Sequence, residues 1–322
     1  MKVGGPKNYG YGKSMKYAVR NLLRDKYGSG RYGTRRSHLA RLRLFLEFLK
    51  SLGVTDLRQI LEEHGVLYSE YLRDLIECDE LSVSTGQNRL SSVNVLLSLL
   101  PGKDRTTLSP SEHLGKRNYV RTEQPSGLNL EHVQHVVVDL LSRGEPRLAV
   151  MVGLCRGIGC RFREASLMDL RKALRRAVAM GTIRITRGTK GGRGKVIPRV
   201  LPAPEWLVSV LVTVVRHGLE KSVIPEDMTY IQWYGMAHRE WAKRCTAYGL
   251  NSRFHDLRSS FACGAHEHLT GISAPCVDAT GAAEAVLPND ERLSEVEARH
   301  VIALAMGHGR TDVLNSYCGS RR

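Results

Sequence analysis

From Met15 to about Leu100 the sequence pattern is helical, with apolar residues recurring three and four positions apart, which limits this stretch to amphipathic helices packed on one another. Leu39, Leu42, Leu44, Phe45, Phe48 and Leu49 form one stripe, and Arg35, Arg36, Arg41 and Arg43 lie largely on other faces. Thr34 is placed to cap this helix, with Gly53 just past its end. Thr55 can cap a short second helix ending at Gly65, residues 67–76 and 85–100 supply two more, and Pro101-Gly102 stops the last. Residues 1–105 therefore read as an N-terminal all-helical domain. A polar stretch rich in Gly, Pro and Ser follows and makes residues 106–128 a linker.

From Asn129 the pattern becomes mixed. Residues 130–141 and 147–156 are helical, and residues 183–186 alternate as a strand does. A turn at Thr189-Lys190-Gly191-Gly192-Arg193-Gly194 leads to a second strand over residues 195–200, giving a β-hairpin. Helices are expected over residues 204–217, 229–247, 255–269, 293–305 and 311–317, with a loop-rich insertion over residues 271–292. The fold class is mainly α with a small β-hairpin (α+β), and residues 129–322 form the second domain.

Lys+Arg 48 against Asp+Glu 32 gives a net charge of +16 over 322 residues, which favours a polyanionic partner, nucleic acid or an anionic membrane surface. The excess is concentrated: residues 1–50 hold 13 Lys/Arg and 2 Asp/Glu, whereas residues 51–100 hold 3 and 8. No apolar run is long enough for a transmembrane helix, and the basic N-terminus lacks the apolar core of a secretory signal. The seven cysteines include no CxxC pair, and the histidines lack HExxH spacing. Neither a disulfide framework nor a metal site is expected, and the location is cytoplasmic, with the nucleoid.

A basic protein that cuts DNA without a metal needs three things. It needs a nucleophile for phosphorus, fixed cations on the non-bridging oxygens, and a proton donor for the leaving 5′-oxygen. Arginine suits the second task because its planar fork binds phosphate bidentately and stays charged. Four segments supply such groups in order: Gly159-Cys160-Arg161-Phe162-Arg163-Glu164-Ala165, the hairpin turn with Lys190, His255-Asp256-Leu257-Arg258, and Met306-Gly307-His308 followed by Tyr317. Each segment alone is unspecific. The ordered set resembles the tyrosine recombinase family, which includes phage integrases and Xer-type resolution enzymes. The likeness spans the second domain and extends more weakly to the first, which looks like that family's helical core-binding domain.

The resemblance implies a role for each residue. Tyr317 would be the nucleophile that forms a 3′-phosphotyrosyl link, and Arg161 and Arg258 would clamp the scissile phosphate. Glu164 would orient Arg161 or support the local fold rather than do chemistry. Lys190 would protonate the 5′-oxygen, with Lys195 the rival on the same turn. His255 would bond the phosphate or take the tyrosine proton, and His308 would donate a further hydrogen bond. No cofactor, ATP or metal is implied, because the tyrosyl ester conserves the phosphodiester energy.

The implied partner is double-stranded DNA at a specific recombination site, wrapped by both domains as a C-shaped clamp. Lys13, Lys16, Arg35, Arg36, Arg41, Arg43, Lys116, Arg117, Arg121, Arg193 and Lys195 would contact it. The implied assembly is a homo-oligomer, tetrameric in synapsis and a monomer or dimer when free, with DNA-bending accessory proteins and no membrane. The function expected is integration or excision of a mobile element such as a prophage. The alternatives are a Xer-like resolution enzyme, a type IB topoisomerase, a non-catalytic DNA-binding protein on the same scaffold, and a membrane-surface role motivated by charge alone.

Three features depart from the family's pattern. The interval from His255 to His308 is long by about the length of residues 271–292, and only five residues follow Tyr317 where many relatives carry a docking tail. Arg163 stands where relatives often have a small residue, placed either to contact DNA or to compete for Glu164.

Overall fold

A computed structural model of the chain describes residues 6–101, 107–190, 194, 196–278 and 292–321. The chain divides into two compact units, the first reaching Asn118 and the second starting at Tyr119.

The first unit is helical: α1 (Met15–Tyr27), α2 (Tyr32–Ser51), α3 (Glu62–Glu77), α4 (Val83–Leu97) and α5 (Pro110–Leu114). Their apolar stripes close on Leu23, Leu42, Phe45, Leu49, Tyr68 and Leu72, all fully buried. Local details differ from the sequence reading. Helix α2 starts before Thr34, which lies inside it. Asp56 rather than Thr55 caps the next turn, accepting from the Arg58 amide at 3.0 Å while Gln59 accepts from the Asp56 amide at 3.0 Å. Gly65 does not end a helix, and α3 runs through it. The missing side chain there makes room for Leu108, whose Cδ1 would lie 3.0 Å from a Cβ. Leu108 and Leu114 are buried in this unit, and Asn94 donates to the Leu108 carbonyl at 2.8 Å. Apolar side chains thus fold the start of the expected linker onto the helices.

The second unit contains α6 (Leu130–Ser142), α7 (Pro146–Gly157), α8 (Phe162–Ser166), α9 (Leu170–Met180), β1 (Thr182–Ile185), β2 (Arg199–Pro202), α10 (Glu205–Arg216), α11 (Tyr230–Ala247), α12 (Phe254–Thr270), α13 (Glu295–Ala305) and α14 (Asn315–Cys318). Helix α7 is the axis: every residue from Leu148 to Arg156 is buried, and it packs on α6, α10 and α12. A helix apolar on all sides belongs at the centre of a bundle. Helix α9 was not anticipated from its sequence, because Leu170, Ala173 and Ala177 alone are buried among basic residues.

The strands pair antiparallel, with Thr182 opposite Pro202 and Ile185 opposite Arg199. The second strand therefore begins four residues later than expected. Alternation places Arg199 and Leu201 inward, 8% and 6% exposed, while Val196 and Ile197 are exposed and belong to the connection. That connection, residues 186–198, is longer than a tight hairpin turn and carries Lys190. Among the described residues, no helix is long and apolar enough to cross a membrane.

Candidate active site

Beyond α7 the chain turns at Gly159, whose φ of +59° is open to glycine and whose Cβ would lie 2.4 Å from Phe261 Cδ1. This turn presents Arg161 at the start of α8. Helix α8 is held from behind: Phe162 packs edge-on against Phe254 with centroids 5.0 Å apart, and Trp233 Nε1 donates to Ser166 Oγ at 3.0 Å.

Glu164, whose side chain is fully buried, organises the site. One carboxylate oxygen accepts from Arg161 Nη1 at 2.7 Å, and the other accepts from the Arg161 amide at 2.8 Å and from the Arg199 guanidinium. Arg258, on the first turns of α12, lies 3.9 Å from the second oxygen. Three guanidinium groups from separate elements therefore share one carboxylate. Arg258 is 1% exposed, and backbone carbonyls aim it: it donates to Gly159 O and, at 2.6 Å, to Met306 O. Arg199 donates to Ala305 O at 2.7 Å.

His308 follows α13 across Gly307 and brings Nε2 to 3.3 Å from Arg258 Nη2 and 3.5 Å from Arg161 Nη2. Tyr317, on α14, is 6% exposed. Its ring centroid lies 5.1 Å from that of His255 and 5.5 Å from that of His308, and Arg258 Cζ is 5.5 Å from it. Residues separated by as many as 156 positions along the chain thus meet in one unit.

Burial, reinforced by Arg258, Arg161, Arg199 and Lys190, pushes His308 down to about 4. His255 keeps one side open to solvent, yet desolvation of the crowded side and then the charge of Arg258 hold its pKa below the usual imidazole value. Both rings are therefore neutral at pH 7. Three arginines against one carboxylate leave two uncompensated positive charges, which match the charge that gathers on a phosphorane. Such a pocket can hold a phosphodiester, stabilise attack on it by a phenol, and accept the phenolic proton on a neutral imidazole.

Arg161, Glu164, His255, Arg258, His308 and Tyr317 thus come together. Lys190 is exposed on the β1–β2 connection, near enough for its charge to act on His308. Arg193 and Lys195 lie outside the described residues, as does most of the 271–292 insertion. Arg163 does not compete for Glu164; its guanidinium stacks 5.6 Å from the Tyr230 ring.

Arg199 escaped the sequence reading. Its signal was parity: it is the charged residue on the same strand face as buried Leu201.

The expected DNA-contacting residues fall into two groups. Lys13, Lys16, Arg36, Arg43 and Lys116 are exposed and Arg35 and Arg41 half-buried, with Lys16, Arg35 and Arg36 lining a groove of about 430 Å³ beside Tyr17 and Tyr32. Arg117 and Arg121 instead spend their guanidinium groups inside the protein. Arg117 donates to Gln87 and Asn88, and Arg121 pairs with Asp256 at 3.0 Å. Among the described residues, no group of three or more His, Cys, Asp or Glu side chains is arranged to hold a metal ion.

No protein-family model matches this chain, and no curated protein does. Solved structures do match. The Tn1549 transposon integrase in complex with a circular-intermediate DNA superposes with a TM-score of 0.57 at 13% identity, covering 93% of this chain and 94% of that one. A lambda integrase dimer bound to a COC′ core site gives 0.53 at 15% identity, covering 94% of each chain. A lambda integrase tetramer bound to a Holliday junction gives 0.54 at 14% identity, covering 94% of this chain and 78% of that one. With a helical unit, a second unit built around α7, and a two-stranded sheet beside the arginine cluster, the chain has the fold of the tyrosine recombinases, the integrase fold.

Proposed function

We propose that this protein is a site-specific DNA recombinase of the integrase type, with Tyr317 as its nucleophile. The observation that carries the reading is the seating of the Tyr317 phenol against Arg258, His255 and His308, in a pocket where Glu164 already holds Arg161 and Arg199 and backbone carbonyls aim Arg258. The charge of the chain and the DNA named in the compared structures support a duplex as substrate.

The chemistry follows from the positions. Tyr317 Oη attacks phosphorus and gives its proton to the neutral His255 ring. Arg161 and Arg258 hold the non-bridging oxygens, and His308 donates from its protonated ring nitrogen. The bond from phosphorus to the 5′-oxygen breaks, and Lys190 supplies the proton that makes the 5′-hydroxyl. The product is a 3′-phosphotyrosyl ester. A 5′-hydroxyl from a second strand then attacks that ester, Tyr317 departs and recovers a proton, and no external energy enters. Exchange between two duplexes requires several subunits on DNA, so a homo-oligomer forms at synapsis, with accessory DNA-bending proteins. Mobile-element integration or excision is the role that fits, with pairs of attachment sites as targets; a Xer-like resolution enzyme would act on one repeated site.

The test uses the DNA flanking the gene, prepared as duplexes with a nick beside each candidate cleavage position so that the cut fragment diffuses away. A covalent protein–DNA adduct on a denaturing gel that is absent with Tyr317→Phe supports the proposal. Tight duplex binding with no adduct at any flanking site would instead identify a non-catalytic DNA-binding protein.

A further inference from the structure

Helix α14 has four residues, Asn315–Cys318, and the turn before it, Asp312–Leu314, has three. A helix this short cannot hold its own geometry in water. The position of Tyr317 must therefore be imposed from outside. Two of the restraints are backbone bonds: the Arg121 amide to Asn315 O at 2.7 Å, and the Cys276 amide to Cys318 O at 2.9 Å. A third comes from one side chain that reaches both ends of the helix. Arg299, on α13, donates from Nη1 to Asn315 Oδ1 at 3.0 Å and from Nη2 to Gly319 O at 2.7 Å. These partners lie two residues before and two residues after Tyr317.

Arg299 is itself anchored. Its Nε donates to Glu295 Oε1 at 2.6 Å, and Glu295 Oε2 lies 2.6 Å from Nε2 of fully buried His266 on α12. The Nδ1 of that ring is 3.1 Å from Ile272 O. His266 and then Arg299 hold the Glu295 carboxyl down at about 2, so it remains an anion. The result is a strut running from α12 through α13 to α14. It is separate from the arginines that share Glu164.

We infer that Arg299 is a positioning residue for the nucleophile: its two-ended grip on α14 sets the Tyr317 phenol at the phosphate pocket. The inference rests on the proposed role of Tyr317 for its catalytic consequence, though not for the grip itself. Orientation losses of about 1 Å at a reacting group cost on the order of a hundredfold in rate. Arg299→Ala in the full chain should therefore slow single-turnover adduct formation about tenfold to a hundredfold. Its affinity for the same duplex should stay within about twofold of wild type.

A second readout needs no DNA. Cys78 is exposed, whereas Cys318, Cys263 and Cys276 are buried around α14, with Cys263 Sγ and Cys276 Sγ each 3.6 Å from Tyr317 O. In native wild-type protein an aromatic disulfide reagent should label Cys78 fast and these three slowly. In Arg299→Ala the three should label at least tenfold faster, as located by peptide mass analysis, while buried Cys155 and Cys160 stay protected. Arg299→Lys, which retains a cation able to reach one end, should lie between.

Unchanged protection of Cys318 in Arg299→Ala would overturn the inference, as would an unchanged adduct rate. If all seven cysteines label, the variant has unfolded, and Asn315→Ala, which removes one grip from the other side, decides by the same two readouts. A wild type that forms no adduct would sink the recombinase reading alone, with the labelling still deciding whether Arg299 holds α14.

Discussion

Glu164→Gln tests the site at its centre. The wild-type carboxylate is sealed from solvent and accepts from the Arg161 amide at 2.8 Å, from Arg161 Nη1 at 2.7 Å and from the Arg199 guanidinium. Glutamine keeps the shape, removes the charge and turns one acceptor into a donor that faces guanidinium N–H groups. Arg199, 8% exposed, and Arg258, 1% exposed, then lose the one carboxylate that pairs with them among the described residues. Breaking a buried ion pair from one side costs about 3–5 kcal/mol. For a cooperative unit of about 200 residues, each kcal/mol moves Tm by about 2–4 °C, so the melting temperature of the second unit should fall by about 6–20 °C. Calorimetry on the full chain should show the loss confined to one of two transitions. Adduct formation, measured at a temperature where the variant is still folded, should fall at least tenfold because Arg161 loses its tether. A Tm within about 2 °C of wild type would refute the assignment of Glu164 as the anchor, since three buried or half-buried cations would then be tolerating its neutralisation.

Three further outcomes follow from the same geometry. His308, pushed down to about 4, stays neutral in the folded chain while an unfolded imidazole protonates near 6.5; the unfolded state thus binds the extra proton, and stability should fall as pH drops from about 6.5 to about 4, a slope that His308→Gln should flatten in denaturant titrations. Gly159→Ala places a Cβ 2.4 Å from Phe261 Cδ1 at a φ of +59°, and should cost about 1–3 kcal/mol by chemical denaturation while slowing adduct formation through displacement of the carbonyl that aims Arg258. Lys16→Ala with Arg36→Ala, both exposed beside the Tyr17 groove, should lower the slope of log K against log salt by about 1.8 if each meets one phosphate; an unchanged slope in a filter-binding series would remove that surface from the DNA path.

The helices were legible where one apolar stripe ran along an amphipathic surface, as in α2, α6 and α10. Legibility failed where tertiary packing overrode local chemistry. Gly65 reads as a stop but lies inside α3, because Leu108 returns from 43 residues away to fill its missing side chain. Helix α9 hides behind its basic residues, since two alanines and a leucine suffice to bury its inner face. In the site, Arg161, Glu164, His255, Arg258, His308 and Tyr317 could be picked out because their order along the chain matched a known family. Arg199 and Arg299 could not, because each is one charged residue in an unremarkable stretch. What distinguishes them is the partner they reach, Glu164 for one and both ends of α14 for the other, and one-dimensional spacing does not record such partners.

The carbonyl anchors of Arg258 have a consequence for evolution and engineering. The Gly159 and Met306 oxygens that aim this side chain belong to the main chain, which no single codon change can delete. The orientation of the guanidinium is thus inherited from the paths of two bends, and variation in neighbouring side chains can accumulate without re-aiming it. Homologues could therefore drift to little overall likeness while keeping this guanidinium aimed in the same direction. A deletion or insertion of one residue near either bend, by contrast, would re-aim the guanidinium with every side chain of the cluster still encoded.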